Sequence, residues 1–315
     1  MTGRLGRGGM GEVLSGHDEA LDRPVALKRL RPDVDISTES SRRFRREAEI
    51  TAALRHQAIV AVYEWLDLDG EDWLIMERLD GRGLDEALAV GRLDVERARS
   101  IGRQLAEALG AIHESGIVHR DLKPANIILV DDAETRLDQV KLIDFGLAKA
   151  VADDGPVVGP ASEELTAEGR IPGTMAWMSP EQVMGLSVDA RSDLFSLGSL
   201  LYAMLVGRPP FGGHSALETL RQVCVGREVP IGDAAPTLPS ELIDLVHRLL
   251  DKDPARRPSM RQILAVLGAD PPRQESAWPD STPSRPRARA SDAMTHLLAV
   301  AGSRLGRATS RRRRG

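Results

Sequence analysis

Apolar positions change their period along this chain. Between residues 4 and 30 they come in short runs broken by glycines, and Val25-Ala26-Leu27-Lys28 follows a turn carrying Pro24, which predicts a strand. Residues 39–54 predict a helix, with Phe44, Ala48 and Ile50 among charged neighbours and Leu54 near its end. Two further strands are predicted over 59–66 and 72–79. After Gly81 and Gly83 the pattern turns helical. Over 94–114, Ile101, Leu105, Leu109 and Ile112 fall at spacings of 4, 4 and 3, one face of a helix, with Asp94 as its N-cap and Gly116 as its stop. A strand-rich stretch, 117–143, leads into an irregular region reaching about 180. Helices are then predicted over 193–206, 216–224, 240–250 and 259–267. The pattern is α+β: a small strand-rich lobe precedes a larger helical one, with the joint near 77–83 and no internal repeat.

Composition narrows the class. A length of 315 residues is about twice the ~150-residue scale of one domain, which suits two lobes. A hydrophobic share of 42% and a charged share of 28% exclude collagen-like and wholly disordered chains. The single cysteine, Cys224, cannot form an internal disulfide or a thiolate metal site alone, so a reducing compartment is expected. No apolar run approaches the ~20 residues that span a bilayer, and the opening MTGRLGRGGMG lacks the apolar core of a signal peptide. A cytoplasmic protein is the expectation.

Charge divides the chain into two regimes. Residues 271–315 hold ten arginines and no lysine against Glu275, Asp280 and Asp292, while the remainder holds 32 basic and 44 acidic residues. The stretch 269–315 is rich in Pro, Ser and Arg and has too little apolar area to offset the entropy of ordering, so a mostly disordered tail is expected, with a short helix around 294–300. Its closing Arg311–Arg314 run suits an anionic partner, although a solvated tail is the commoner meaning of such a run. Specific nucleic-acid binding is not expected.

Candidate chemistry begins with Gly6-Arg7-Gly8-Gly9-Met10-Gly11, a G-x-G-x-x-G pattern with Val13 two residues on. Glycines let a backbone approach phosphates without interference from Cβ. The same pattern opens dinucleotide-binding folds, but there a helix follows at once, whereas Glu12-Val13-Leu14-Ser15 continues as strand. Lys28 lies in an apolar strand, where a buried ammonium needs a partner. Glu47, in the 39–54 helix, is a candidate for that partner. The sharpest signal is Val118-His119-Arg120-Asp121-Leu122-Lys123-Pro124-Ala125-Asn126 followed by Lys141-Leu142-Ile143-Asp144-Phe145-Gly146. Phosphoryl transfer asks a protein for positioning and countercharge rather than covalent chemistry. Asn126 and Asp144 offer oxygens to a magnesium ion, Asp121 can orient a hydroxyl and accept its proton, and Lys123 can neutralise the transferred phosphate.

With these motifs in order, the chain resembles the eukaryotic-type (Hanks-type) protein serine/threonine kinases, in wording most like the bacterial members, from about Gly3 to Leu267. The resemblance implies a bilobal fold, with an N-lobe at 1–79, a C-lobe at 80–268 and the tail outside both. It implies transfer of the ATP γ-phosphate to Ser/Thr hydroxyls of proteins, with Mg2+ or Mn2+. Gly6, Gly8 and Gly11 would cover the phosphates, and Val13 and Ala26 would pack on adenine. Met76 matches the gatekeeper, and Glu77 and Leu79 the hinge contacts. Lys28 matches the lysine on the α- and β-phosphates, Glu47 its helix partner, Asp121 the catalytic base, and Asn126 and Asp144 the metal ligands. Glu181 matches the glutamate that pairs with an arginine like Arg257, and Asp193 the aspartate that braces the catalytic loop. Asp121-Leu122-Lys123-Pro124 and Gly173-Thr174 are similar to the serine/threonine branch, with Thr174 bonding the catalytic Asp and Lys. Arg120 implies control by a loop phosphate, for which Thr166 is the first candidate and Ser162 the second. Three departures stand out: a short lead-in before Gly6, which predicts a clipped first strand, Arg78 at a hinge position usually aromatic or apolar, and Trp177 where tyrosine is usual. A catalytically weak pseudokinase scaffold is the competing class, but such chains usually lose at least one of Lys28, Asp121, Asn126 and Asp144, all present here.

Overall fold

The computed structural model describes residues 3–8, 11–30, 54–68, 71–131, 138–144, 175–234 and 237–268. The predicted 39–54 helix with Glu47, the segment holding Ser162, Thr166 and Thr174, and the tail lie outside these residues. The chain divides into two units, Met1–Pro271 and Pro272–Gly315, and everything described belongs to the first.

The first lobe is one antiparallel sheet. Its strands are β1 (Gly3–Gly8), β2 (Gly11–Asp18), β3 (Arg23–Leu30), β4 (Val62–Leu68) and β5 (Glu71–Glu77), in spatial order β1-β2-β3-β5-β4. The predicted 59–66 strand thus starts three residues later, and the 72–79 strand stops at Glu77. Alternation of side chains sorts the sheet into two faces. Val13 stands opposite Lys28, and Lys28 opposite Leu74, while Ala26 stands opposite Met76. That face carries the apolar group Ala26, Val60, Leu74 and Met76. The opposite face carries Val25, Leu27 and Trp73. Strand β1 slips register between Arg4 and Gly6, then pairs Gly6 with Val13 and Gly8 with Gly11.

A short second sheet follows: β6 (Arg82–Gly83), β7 (Ile127–Asp131) and β8 (Asp138–Leu142), all antiparallel. Segment 58–60 ties this sheet to the chain entering β4, since Val60 N donates to Leu142 O (3.0 Å) and Leu142 N to Ala58 O (2.8 Å). The stretch predicted as strand-rich, 117–143, is therefore strand only in its second half, with a short 3-10 turn at Pro124–Asn126 before β7.

Helices make the second lobe: α1 (Leu84–Val90), α2 (Val95–Glu114), α3 (Pro180–Val183), α4 (Ala190–Val206), α5 (Ala216–Val225), α6 (Ile231–Ala234), α7 (Ser240–Leu249) and α8 (Met260–Leu267). Helix α2 begins where Asp94 accepts from Arg97 N at 2.8 Å. Helix α4 starts three residues before the predicted 193, because Asp189 caps it through Arg191 N (2.8 Å). It is the core of the lobe, buried continuously from Ser192 to Leu205. Two glycines allow its close contacts. A Cβ on Gly102 would meet Leu201 Cδ2 at 2.6 Å, and one on Gly198 would meet Leu249 Cβ at 2.6 Å.

Candidate active site

Strand β3 delivers Lys28 to the edge of the second sheet. Lys28 Nζ donates to Asp144 Oδ1 at 2.8 Å, and the lysine side chain is only 10% exposed. Asp144 stands two residues past the end of β8. The ammonium thus meets a carboxylate 116 positions away in sequence. The proposed partner Glu47 lies outside the described residues.

Beside this ion pair, Ile143 N donates to Asn126 O at 3.0 Å, which fixes the 3-10 turn against the end of β8. Asn126 Nδ2 donates to Asp121 O (2.9 Å) and to Asp121 Oδ2 (3.1 Å), and Lys123 Nζ donates to the same Oδ2 at 2.7 Å. Two polar groups, Lys28–Asp144 and Asn126–Asp121–Lys123, are therefore held side by side through the Ile143–Asn126 backbone bond. Both side-chain bonds of Asn126 run through nitrogen, which leaves its amide oxygen as a ligand atom. A carboxylate and an amide oxygen are the donors that magnesium accepts when phosphates and waters complete its shell. Among the described residues no group of three His, Cys, Asp or Glu side chains could hold a metal ion alone.

The loop carrying Asp121 is held from beneath. Asp193, buried in the first turn of α4, accepts from His119 N (2.8 Å) and Arg120 N (2.9 Å), and its Oδ2 lies 2.7 Å from His113 Nε2. Arg120 itself has a left-handed backbone, φ 63°. Its carbonyl accepts from Gln182 Nε2 at 2.8 Å. His119 is fully buried, and that burial pushes its pKa below the ordinary histidine value against the opposing pull of Asp193, Asp121 and Asp144.

Above the polar cluster, Val13 and Leu79 pack with Ala26, Met76 and Ile143 in one apolar group. This brings together four of the residues proposed to touch adenine. Glu77, at the end of β5, accepts from Lys141 Nζ through both oxygens (3.0 and 2.9 Å) and from Ala61 N (3.2 Å). Arg78, at the position expected to form the hinge, donates from Nη1 to Ser15 Oγ at 3.4 Å. Gly6 has open space where a Cβ would stand.

The protein kinase domain family matches residues 1–266. The chain belongs to that family. This kinase domain is 40% identical over 263 residues to the serine/threonine-protein kinase Pkn2 of Myxococcus xanthus, covering 83% of the chain and 31% of that protein. It is 38% identical over 308 residues to the serine/threonine-protein kinase PknB of Mycobacterium tuberculosis, covering 96% of the chain and 46% of the relative. The chain thus spans less than half of the length of these relatives. Among solved structures, the PknI kinase domain of Mycobacterium tuberculosis, in a double-mutant form, aligns with a TM-score of 0.64 and 26% identity over 84% of this chain and 92% of that one.

Two elements of the kinase domain carry positioning groups that the sequence alone did not single out. His113 sits six residues before His119, and Lys141 three before Asp144. Strand alternation in Val140-Lys141-Leu142 was the available signal for the lysine, whereas nothing local marks His113. The pairing of Glu181 with Arg257 is direct: Nη1 to Oε1 at 2.6 Å and Nη2 to Oε2 at 2.9 Å.

Proposed function

We propose that this protein is an ATP- and magnesium-dependent serine/threonine protein kinase. The observation that supports it most is the pair of polar groups, Lys28–Asp144 and Asn126–Asp121–Lys123, that the Ile143–Asn126 backbone bond sets side by side. Lys28 orients the α- and β-phosphates, while Gly6, Gly8 and Gly11 let the β1–β2 backbone lie over them. Val13, Ala26 and Met76 enclose adenine, and the backbones of Glu77 and Leu79 bond it. Asn126 and Asp144 would hold the metal, which when bound would supply countercharge to the phosphates. Asp121 aligns the incoming Ser or Thr hydroxyl and takes its proton, and the new O–P bond forms as the bond to the leaving ADP oxygen breaks. Lys123, already 2.7 Å from Asp121, sets a cation beside the transferred group.

Thr174 would bond Asp121 and Lys123. A phosphate on Thr166, or failing that Ser162, would add about −1.5 to −2 charges for Arg120 to meet. The arginine-rich stretch after 270 suits an anionic partner, and the lone Cys224 suits a reducing, cytoplasmic setting. No helix among the described residues is long and apolar enough to cross a membrane.

Incubation with γ-labelled ATP and magnesium is expected to label this chain or a protein substrate on Ser or Thr. The label should vanish with a chelator and in an Asp121→Asn variant, which loses a group worth about 10²–10⁴ in rate. Label that survives in that variant, or none at all in the parent, overturns the reading. Thr166→Ala is expected to lower both self-labelling and the rate on substrate. Unchanged phosphate content and full activity would remove Thr166 from the account.

A further inference from the structure

Lysine is scarce in this chain, with five lysines against 37 arginines. The two are not interchangeable at a reactive position, because an arginine keeps its proton in a protein and a lysine can lose it. Lys28, Lys123 and Lys141 each hold a carboxylate, Asp144 at 2.8 Å, Asp121 at 2.7 Å and Glu77 at 2.9 Å. Lys252, between α7 and the turn at Pro254–Arg256, is set differently. Its Nζ stands 3.4 Å from the ring centroid of Phe211 and 5.3 Å from that of Phe195, and it donates to Val223 O at 2.7 Å. The two rings are fully buried and stack with centroids 5.8 Å apart. Among the described residues Lys252 makes no ion pair with a carboxylate. The lysine is half-buried rather than sealed in.

We infer that Lys252 is a nucleophilic lysine and a site of acylation by a small acyl phosphate. Its surroundings favour the neutral amine that such a reaction needs. Burial takes water from the ammonium and pushes its pKa down to about 8, against the upward pull of Glu228, Cys224 and Asp251 and with Arg257 adding to the fall. These groups face the nitrogen from the segment after α5, from α5 and from its own turn. A carboxylate in contact favours the ammonium form, and that is what Lys28, Lys123 and Lys141 have and Lys252 lacks. The bond to Val223 O asks for one N–H, so it survives loss of a proton and leaves a lone pair on the nitrogen. In the step, that lone pair attacks the acyl carbonyl carbon. The N–C bond forms as the bond from this carbon to the phosphate oxygen breaks, phosphate leaves with the electron pair, and a proton passes from nitrogen to water. The product is a neutral amide, which no longer sets a cation over Phe211.

The test incubates the full chain with acetyl phosphate, without ATP, between about pH 6.5 and 9.5, and follows acetyl-lysine at each site by peptide mass spectrometry. Near neutral pH, Lys252 is expected to be acetylated about 10-fold or more faster than Lys123 or Lys141. Its rate should level off above about pH 8, where the amine is mostly neutral, whereas an ordinary lysine keeps gaining up to about pH 10.4. In the urea-unfolded chain the advantage should vanish, because the rings no longer exclude water from the nitrogen. Acetylation no faster than at Lys123 and Lys141, a rate still climbing beyond about pH 9, or an advantage that survives unfolding overturns the assignment. Each of these outcomes leaves the kinase reading standing, since the measurement uses no ATP and Lys252 is not part of the site around Asp121.

Discussion

Arg120 has a left-handed backbone, φ 63°, immediately before Asp121. A non-glycine residue in such a region costs about 1–3 kcal/mol and persists only where its surroundings fix it. Here Asp193 holds its amide and Gln182 holds its carbonyl, so the strain is fixed from both sides and Asp121 is aimed by it. His119, just before, has a pKa lowered first by burial, with Asp193, Asp121 and Asp144 pulling the other way. An unfolded histidine takes up a proton near pH 6.5, while the folded ring stays neutral to lower pH. Below about 6.5 the unfolded chain therefore binds more protons, and stability falls as pH falls toward the folded pKa. Denaturant midpoints measured from pH 7 to 5 should drop with a slope of up to about 1.4 kcal/mol per pH unit from this group. A His119→Gln variant should show a shallower slope, and an identical slope would contradict the assignment.

At the scale of elements, the buried pair Glu181–Arg257 joins α3 to the turn at Pro254–Arg256 and to the start of α4. Arg257 also donates to Arg191 O (2.8 Å) and Asp251 O (3.0 Å), and Ser192 Oγ donates to Glu181 at 2.5 Å. Burial alone would raise the Glu181 pKa, but hydrogen bonds from Arg257 and Ser192 outweigh it and hold it below the usual carboxylate value. That stabilisation is complete above the unfolded pKa of about 4.3 and is lost as pH falls through the lower folded value. Arg257→Ala should destabilise the fold by about 3–5 kcal/mol, since it strands a buried carboxylate. Urea unfolding measures it, and a loss under about 1 kcal/mol would mean that the pair is solvated. Elements of this kind were unevenly legible in the sequence. Helix α2 was readable down to Asp94, because its cap and its apolar stripe are both local. The start of α4 was not, because an apolar helix buried on all sides has no stripe to mark its first turn. The site motifs were readable as strings, but their contacts were not. Lys28 meets Asp144 across 116 positions and His113 meets Asp193 across 80, and no local pattern carries such distances.

Across the whole molecule, two sheets and a helical lobe exist to bring distant residues to one point. Strand β3 supplies Lys28, the end of β8 supplies Asp144, the turn before β7 supplies Asn126, and the loop braced by α4 supplies Asp121. Groups that act as one unit show losses that do not add, whereas groups at separate sites lose rate independently. The most direct measurement is single-turnover phosphoryl transfer to a serine peptide by Lys28→Met, Asp121→Asn and the double variant. The account predicts that the double variant is about as slow as the slower single one. Losses that multiply in full, as expected for two unconnected sites, would contradict it.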